Sequence, residues 1–547
     1  MTDNPSEPPD PAASATSRIG RAFAWIDQRL ELVSDYINPI LVKETRQALK
    51  SQQFVIWYLL LLGGCWIVTI GGLAMIGPAA YYGAFGGQLF QWYAWILSFP
   101  LLVVAPFSAF RSLASEQEEN TRDVLTVSAL SPYQVINGKL GSSALQVAMY
   151  LSAMAPCLAF AYLLRGVDAL TLVLLPGMGV VASLGLSLVG LLLASLARVR
   201  YLQIMMNVVF ITALLLLFYN SFELIEELVE NGYRSYQQTS FWIAMGAIAT
   251  AVATTFLLAY ALAVACNTFT SANRSTPLRA AMLVQQAAFI GWMAAVWLVS
   301  RDPEIAVAMF MVGVFYWTAM GMFLTSEEPV LSPRVRRTLP KTAIGRAAFT
   351  LLSPGPGTGF FFVLANLCYL LLLAWFVQES GRSSGPGGLS LLVTYLAAVA
   401  YVVSYLGFGR IVIMLLRKIA ALSLIGGFLV HLLLLLAGNA LPYAIDASFN
   451  SVRRAGFSYW DVVSPVAMLE QTARGNVSEV ELLTTGLIVF GVAACSLLIN
   501  LFLAAAEVRQ SRLTTPQRII EDELAKIPAP GPTNPWGDSE RPAVEAP

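Results

Sequence analysis

The chain has 547 residues, 57% of them hydrophobic and only 12% charged, against about 25% charge in soluble domains. Length alone suggests roughly three or four soluble domains, but long apolar runs exclude that organisation. The formal net charge is zero, so overall charge singles out no partner, and no part of the chain calls for nucleic acid.

A helix crossing a bilayer needs about 20 consecutive apolar residues. Twelve runs meet that length: about 54–76, 89–110, 140–164, 169–197, 201–219, 241–266, 281–299, 304–325, 359–378, 389–414, 419–440 and 482–506. They predict an all-α polytopic integral membrane protein with about 12 transmembrane helices, numbered here as spans 1 to 12.

In chain order, residues 1–17 read as a disordered tail of Pro, Ser, Ala and acid, with no signal peptide. Residues 18–50 read as amphipathic interfacial helices: Ile19, Phe23, Ile26, Leu30 and Val33 recur at helical spacing between charged residues. Pro39 is expected to break this stretch. Span 2 leads into a long loop, 111–139, with the acids Glu116, Glu118, Glu119 and Asp123. A longer loop at 220–240 follows span 5 on the opposite side. Spans 7–12 repeat the order, with a long loop at 326–357 and another at 441–480. This parallel of loop lengths suggests two six-span halves in the same orientation, although no residue-level repeat stands out. Residues 507–547 read as a tail that is disordered at its end.

The basic residues orient the chain. With both termini cytoplasmic, 26 of the 33 Lys and Arg lie on the cytoplasmic side, as the positive-inside rule requires.

Chemistry is sparse. There is no phosphate-binding GxxxxGK[ST] loop, no HExxH and no GxSxG. The single histidine, His431, excludes a multi-histidine metal site and reads as a neutral side chain bonded to a neighbouring helix. The five cysteines all fall in apolar spans without ligand spacing. No catalytic residue, cofactor or metal is expected. Acids are nearly absent from span interiors, which weakens an ion-coupled carrier. Arg410, near the cytoplasmic end of span 10, is expected to snorkel.

The loop after span 2 carries the strongest pattern. Asn120 is suited to cap a short helix, with Asp123 in its first turn and Val124, Val127 and Leu130 as an apolar stripe. Ser131-Pro132 with Gln134 then forms an S-x-x-Q capping box that launches span 3. Acids ahead of the helix suit a protein partner better than anionic lipid.

At these residues the chain resembles the type-2, exporter-type permeases of ATP-binding cassette (ABC) transporters. Many of these carry E-[RK]-E-x-G-T-[LI]-[DE]-x-L after their second span, then an "SP" turn and "GK" at the third. Here that is Glu116 to Leu125, then Ser131-Pro132 and Gly138-Lys139. "NPILVKETRQALKS", Asn38 to Ser51, resembles the segment before their first span, and "SPVAMLEQTARG", 464–475, one outside their last. The clear match covers about 38–220. Asn120 stands where Gly is usual, and Gln117 and Arg122 also depart from the pattern.

The resemblance implies a six-span permease-like half at 51–275, with 111–139 as coupling loop, and a second half at 276–506. It implies a multi-pass protein of the plasma (inner) membrane, working as a fused pair or a homodimer. It would transport an unknown substrate with ATP hydrolysed by a cytoplasmic ABC ATPase dimer. Val124, Val127 and Leu130 would fill the ATPase groove, with Asn120 and Thr121 in the same motif. Glu116, Glu118 and Asp123 would meet basic groups on its rim, and Lys139 would sit at the inner interface. An ATP-independent twelve-span carrier and a non-transporting membrane scaffold with 441–480 as its binding surface are the alternatives.

Overall fold

The computed structural model describes residues 38–77, 83–118, 131–197, 200–269, 272–328, 349–380, 387–449, 459–468 and 478–513. The helices read at 18–37, the terminal tails and the loop residues 119–130 lie outside these, as do most of 326–357 and much of 441–480.

The described residues form helices and no strand. Pro39, expected to break a helix, begins one: it takes the first position of α1 (Pro39–Lys50), where its missing N–H is no loss, and the Asn38 side chain accepts from the Ile40 amide. Ser51 ends α1 and caps α2 (Gln52–Ile76) by accepting from the Phe54 amide. Span 2 comprises α3 (Gly86–Phe99) and α4 (Ala105–Glu118), joined by one π-helical turn, Pro100–Val104. Pro100 lacks the N–H that a continuous ladder needs there, and the wider turn absorbs the break. The Ser131–Gln134 capping box is present and starts α5 (Pro132–Leu163).

There follow α6 (Ala169–Leu196), α7 (Arg200–Tyr236), α8 (Thr239–Asn267), α9 (Ser275–Ser300), α10 (Pro303–Leu324), α11 (Pro356–Ser380), α12 (Gly387–Leu416), α13 (Leu424–Phe449) and α14 (Glu479–Leu513). Two expected loops are largely or partly helical. Residues 220–236 continue α7, burying Ile225, Leu228 and Gly232 beside four glutamates. That stretch is amphipathic rather than apolar, so it ends the hydrophobic run without ending the helix. Likewise α13 carries on to Phe449, inside 441–480.

Among the described residues twelve helices, counting α3–α4 as one, are long and apolar enough to cross a membrane. Their exposed sides are apolar: Trp66, Ile67 and Met75 of α2 are 65%, 74% and 83% exposed. Apolar surface on this scale has lipid as its only fitting solvent. The chain is a polytopic α-helical membrane protein.

Packing divides the chain into one unit of Met1–Phe269 with Pro277–Trp292 and another of Thr270–Thr276 with Met293–Pro547. Many corresponding helices meet in the two units. In the first, span 2 packs on α5, α6 and α7; α5 packs on α6 and α8; α6 packs on α7 and α8. In the second, α10 packs on α11, α12 and α13; α11 packs on α12 and α14; α12 packs on α13 and α14. Each of these pairs has its counterpart six spans later, whereas the contacts of α2 with span 2 and with α5, and of α7 with α8, have no such counterpart among the described residues. Cavities recur too. An apolar one of about 620 Å³ lies among span 2, α6, α7 and α8, and one of about 610 Å³ lies among α12, α13 and α14.

At the start of α3, the Gly86 amide donates to the Arg165 carbonyl at 2.7 Å. A Cβ on Gly86 would come within 2.2 Å of the Ala161 and Arg165 carbonyl oxygens, whereas one on Gly71 would touch nothing. Gly86→Ala is therefore expected to lower stability by about 1–3 kcal/mol. Gly71→Ala should leave it unchanged or slightly raised, as read from thermal unfolding of the detergent-solubilised protein.

Candidate functional site

Three segments far apart in sequence meet where span 1 begins. Helix α1 lies along the first turns of α5 because Gly138 lets it approach: a Cβ there would fall 2.7 Å from the Ile40 side chain. The Asn38 amide donates to the Gln134 carbonyl across the same contact. This packing aims Glu44 of α1 at Lys139 of α5.

Lys139 is 2% exposed. Its Nζ lies 3.0 Å from Glu44 Oε1 and 3.1 Å from Glu116 Oε1. It also donates to the Ser112 carbonyl and Oγ, both at 3.2 Å. An ammonium has three N–H donors, and these acceptors on α1 and α4 use all of them. Lys43 Nζ reaches Glu116 Oε1 at 3.6 Å from the exposed side. The cluster thus ties α1, the end of α4 and the start of α5 into one corner.

Of the residues singled out in sequence, Glu116 and Lys139 come together here. Glu116 was expected at a partner's rim; its carboxylate instead pairs within the chain, because α5 delivers a buried ammonium beside it. Lys139, at the start of span 3, is buried within the protein. Glu118 ends α4. Asn120, Thr121, Asp123, Val124, Val127 and Leu130 lie outside the described residues.

The second unit builds a similar corner with different groups. Glu327, just past α10, accepts from Ser275 Oγ at 2.5 Å and from the Gly355 amide at 2.7 Å. It therefore joins the start of α9, the end of α10 and the approach to α11, as Glu116 joins α1, α4 and α5. Arg417, beyond α12, donates to the Ser326 and Glu327 carbonyls at 2.6 and 2.8 Å, a cation at the C-terminal end of α10. Arg410 does not snorkel. It is 3% exposed, donating to Asn500 Oδ1 at 2.9 Å and pairing with Glu507 at 2.6 Å. His431 bridges helices, with Nε2 at 3.2 Å from Thr325 Oγ1 and Nδ1 at 3.1 Å from the Gly427 carbonyl.

With this geometry in hand, comparison with protein-family models, curated proteins and solved structures finds no match.

Sequence reasoning missed Glu44, Ser112, Glu327 and Glu507 as site residues. Glu44 had a signal: in "VKETRQ" it sits one turn from Ile40 on the helix face that meets α5. Glu327 had another. Ser326-Glu327 at the end of α10 matches Ser115-Glu116 at the end of α4, and Leu352-Ser353-Pro354 before α11 matches Leu130-Ser131-Pro132 before α5.

Removing one member of a buried ion pair leaves an uncompensated charge, at a cost of about 3–5 kcal/mol. Lys139→Met is expected to destabilise the protein by that order. Adding Glu44→Gln and Glu116→Gln should recover most of the loss. Thermal unfolding of the single and triple variants in detergent measures both, and equal midpoints for Lys139→Met and the parent would remove Lys139 as the anchor.

Proposed function

We propose that this chain is the membrane-spanning permease subunit of an ABC transporter, driven by ATP hydrolysed on a separate cytoplasmic ATPase. One observation carries the reading: the buried Lys139, bonded to both Glu44 and Glu116. Three of the sequence pieces that resemble the family are the segment before span 1, the acidic stretch after span 2, and the "GK" of span 3. This cluster joins all three through one side chain, so they act as parts of one corner.

A coupling loop needs firm ends. Residues 119–130 leave from α4 and return at the capped start of α5, and the cluster clamps α4 against α5. Force applied to such a loop would pass into spans 2 and 3 and into α1 rather than into slack. Val124, Val127 and Leu130 would enter the ATPase groove, with Asn120 and Thr121 in the turn. Glu118 and Asp123 remain for rim charges, which tune encounter more than affinity; Glu116 serves the corner instead.

The recurring helix pairs support an internal repeat, with one chain supplying both six-span halves. Glu327 then corresponds to Glu116. The basic-residue distribution supports cytoplasmic termini, the side on which the ATPase would dock. The membrane would be the plasma (inner) membrane.

The test is coupling. Val127→Glu should abolish stimulation of a co-expressed ATPase while the protein still inserts and keeps its thermal midpoint. Stimulation equal to that of the parent would overturn the coupling role. Transport insensitive to ATP analogues would favour an ATP-independent carrier.

A further inference from the structure

Beside the buried lysine, the first unit holds a polar cavity of about 250 Å³, unlike the apolar cavities deeper in the bundle. Its wall is written on α5. Lys139, Ser142, Ser143, Gln146 and Tyr150 recur at spacings of three and four, which puts them on one helical face. All five are buried and line the cavity. Helix α4 contributes Ser108, Ser112 and Ser115 at the same spacing, and Ser108 Oγ donates to Gln146 Oε1 at 3.0 Å. Glu44, Gln47 and Ser51 close the third side.

Tyr150 is the inner end. It is fully buried, with its ring 5.4 Å from that of Phe54. Its hydroxyl has no hydrogen-bond partner among the described residues. Burying such a group without a partner opposes folding. From Lys139 to Tyr150 the helix rises about 16 Å, roughly half the hydrocarbon thickness. A polar stripe of that depth is costly in a membrane unless polar matter meets it.

We propose that this cavity binds a neutral, hydroxyl-rich group of the sugar-ring kind. Neutrality follows from the wall: the two cations Lys139 and Lys43 are matched by the two carboxylates Glu44 and Glu116, so the cluster offers no net charge to select an ion. Hydroxyl chemistry follows from the lining, whose serines, glutamine amides and tyrosine both donate and accept. The volume equals that of about eight waters, enough for one small ring. The exposed Gln53 and Arg111 mark its rim, so the group arrives either as a free solute or as a glycolipid headgroup. The inference stands apart from the ATPase assignment, and its test needs no ATPase.

The experiment is site-resolved thiol labelling of the full chain in phosphatidylcholine vesicles, using a permanently charged methanethiosulfonate. Gln146→Cys should react roughly tenfold or more faster than Leu145→Cys or the native Cys368, which face lipid, because a fixed charge does not enter hydrocarbon. The probes are glucose, and vesicles containing monoglucosyl-diacylglycerol. One of them should slow labelling by about threefold at twice its Kd. Glucose protection identifies a free solute, and glycolipid protection a headgroup. Labelling as slow as at Leu145→Cys overturns the cavity as a solvated site, and fast labelling that neither probe slows overturns the ligand class. Ser143→Cys, which exchanges a hydroxyl for a thiol, serves the same purpose should Gln146→Cys fail to insert. Tyr150→Phe should weaken the protection without lowering the melting temperature, since that hydroxyl has no partner to lose. Undiminished protection in that variant would overturn the role of Tyr150.

Discussion

A buried ammonium in a membrane bundle must be matched wherever it sits, and that requirement on Lys139 fixes the corner of the first unit. Lipid cannot take its three donors, and Glu44, Glu116 and Ser112 do. Those acceptors come from α1 and α4, so satisfying one side chain sets the places of two helices against a third. The small side of α5 at Gly138 completes the arrangement by letting α1 lie close enough for Glu44 to reach. Packing and charge thus make the same demand.

The second unit meets an equivalent demand without a lysine. The carboxylate stays after the second helix of the unit, as Glu327, but it binds a hydroxyl and a backbone amide. The cations sit on and after α12: Arg417 closes the carbonyl end of α10, and Arg410 is held by Glu507 and Asn500. Guanidinium suits these places because its fixed fork can serve two acceptors at once. Several corresponding helix pairs meet in both units, while the charge pairs differ. This explains why loop lengths hint at a repeat while residues hardly do: only the Ser-Glu exits and the Leu-Ser-Pro approaches recur.

The twelve spans were legible in sequence because lipid imposes a length and a composition that no other environment asks for. Helix ends were legible where capping chemistry is local, as at Ser131 and Gln134. What escaped were the features decided by a distant partner. Residues 220–236 are helical because Ile225 and Leu228 find cover, which an apolar count cannot see. Arg410 looks identical in sequence whether it snorkels or is paired; only the approach of α14 decides, and that helix lies about 90 residues away. Glu116 read as a free acid for the same reason, since its lysine is on the next span. The polar face of α5 was written in plain periodicity, but a serine or glutamine stripe alone does not distinguish a helix contact from a cavity wall.

The corner and the polar cavity share Lys139, and this sharing has an electrostatic consequence. While Glu116 and Glu44 hold the ammonium with Lys43 beside them, two carboxylates balance two cations and the wall carries no excess charge. Any displacement of the α4 end that draws Glu116 away leaves Glu44 and Ser112 to match it alone. In a low-dielectric surrounding, the change in field at the cavity is then much larger than in water. Movement of the loop stem and the affinity of the cavity are therefore not independent quantities: a pull on α4 changes the polarity of the wall about 16 Å above Tyr150. The linkage runs both ways, because whatever stabilises one arrangement of the wall biases the position of the stem by the same free energy.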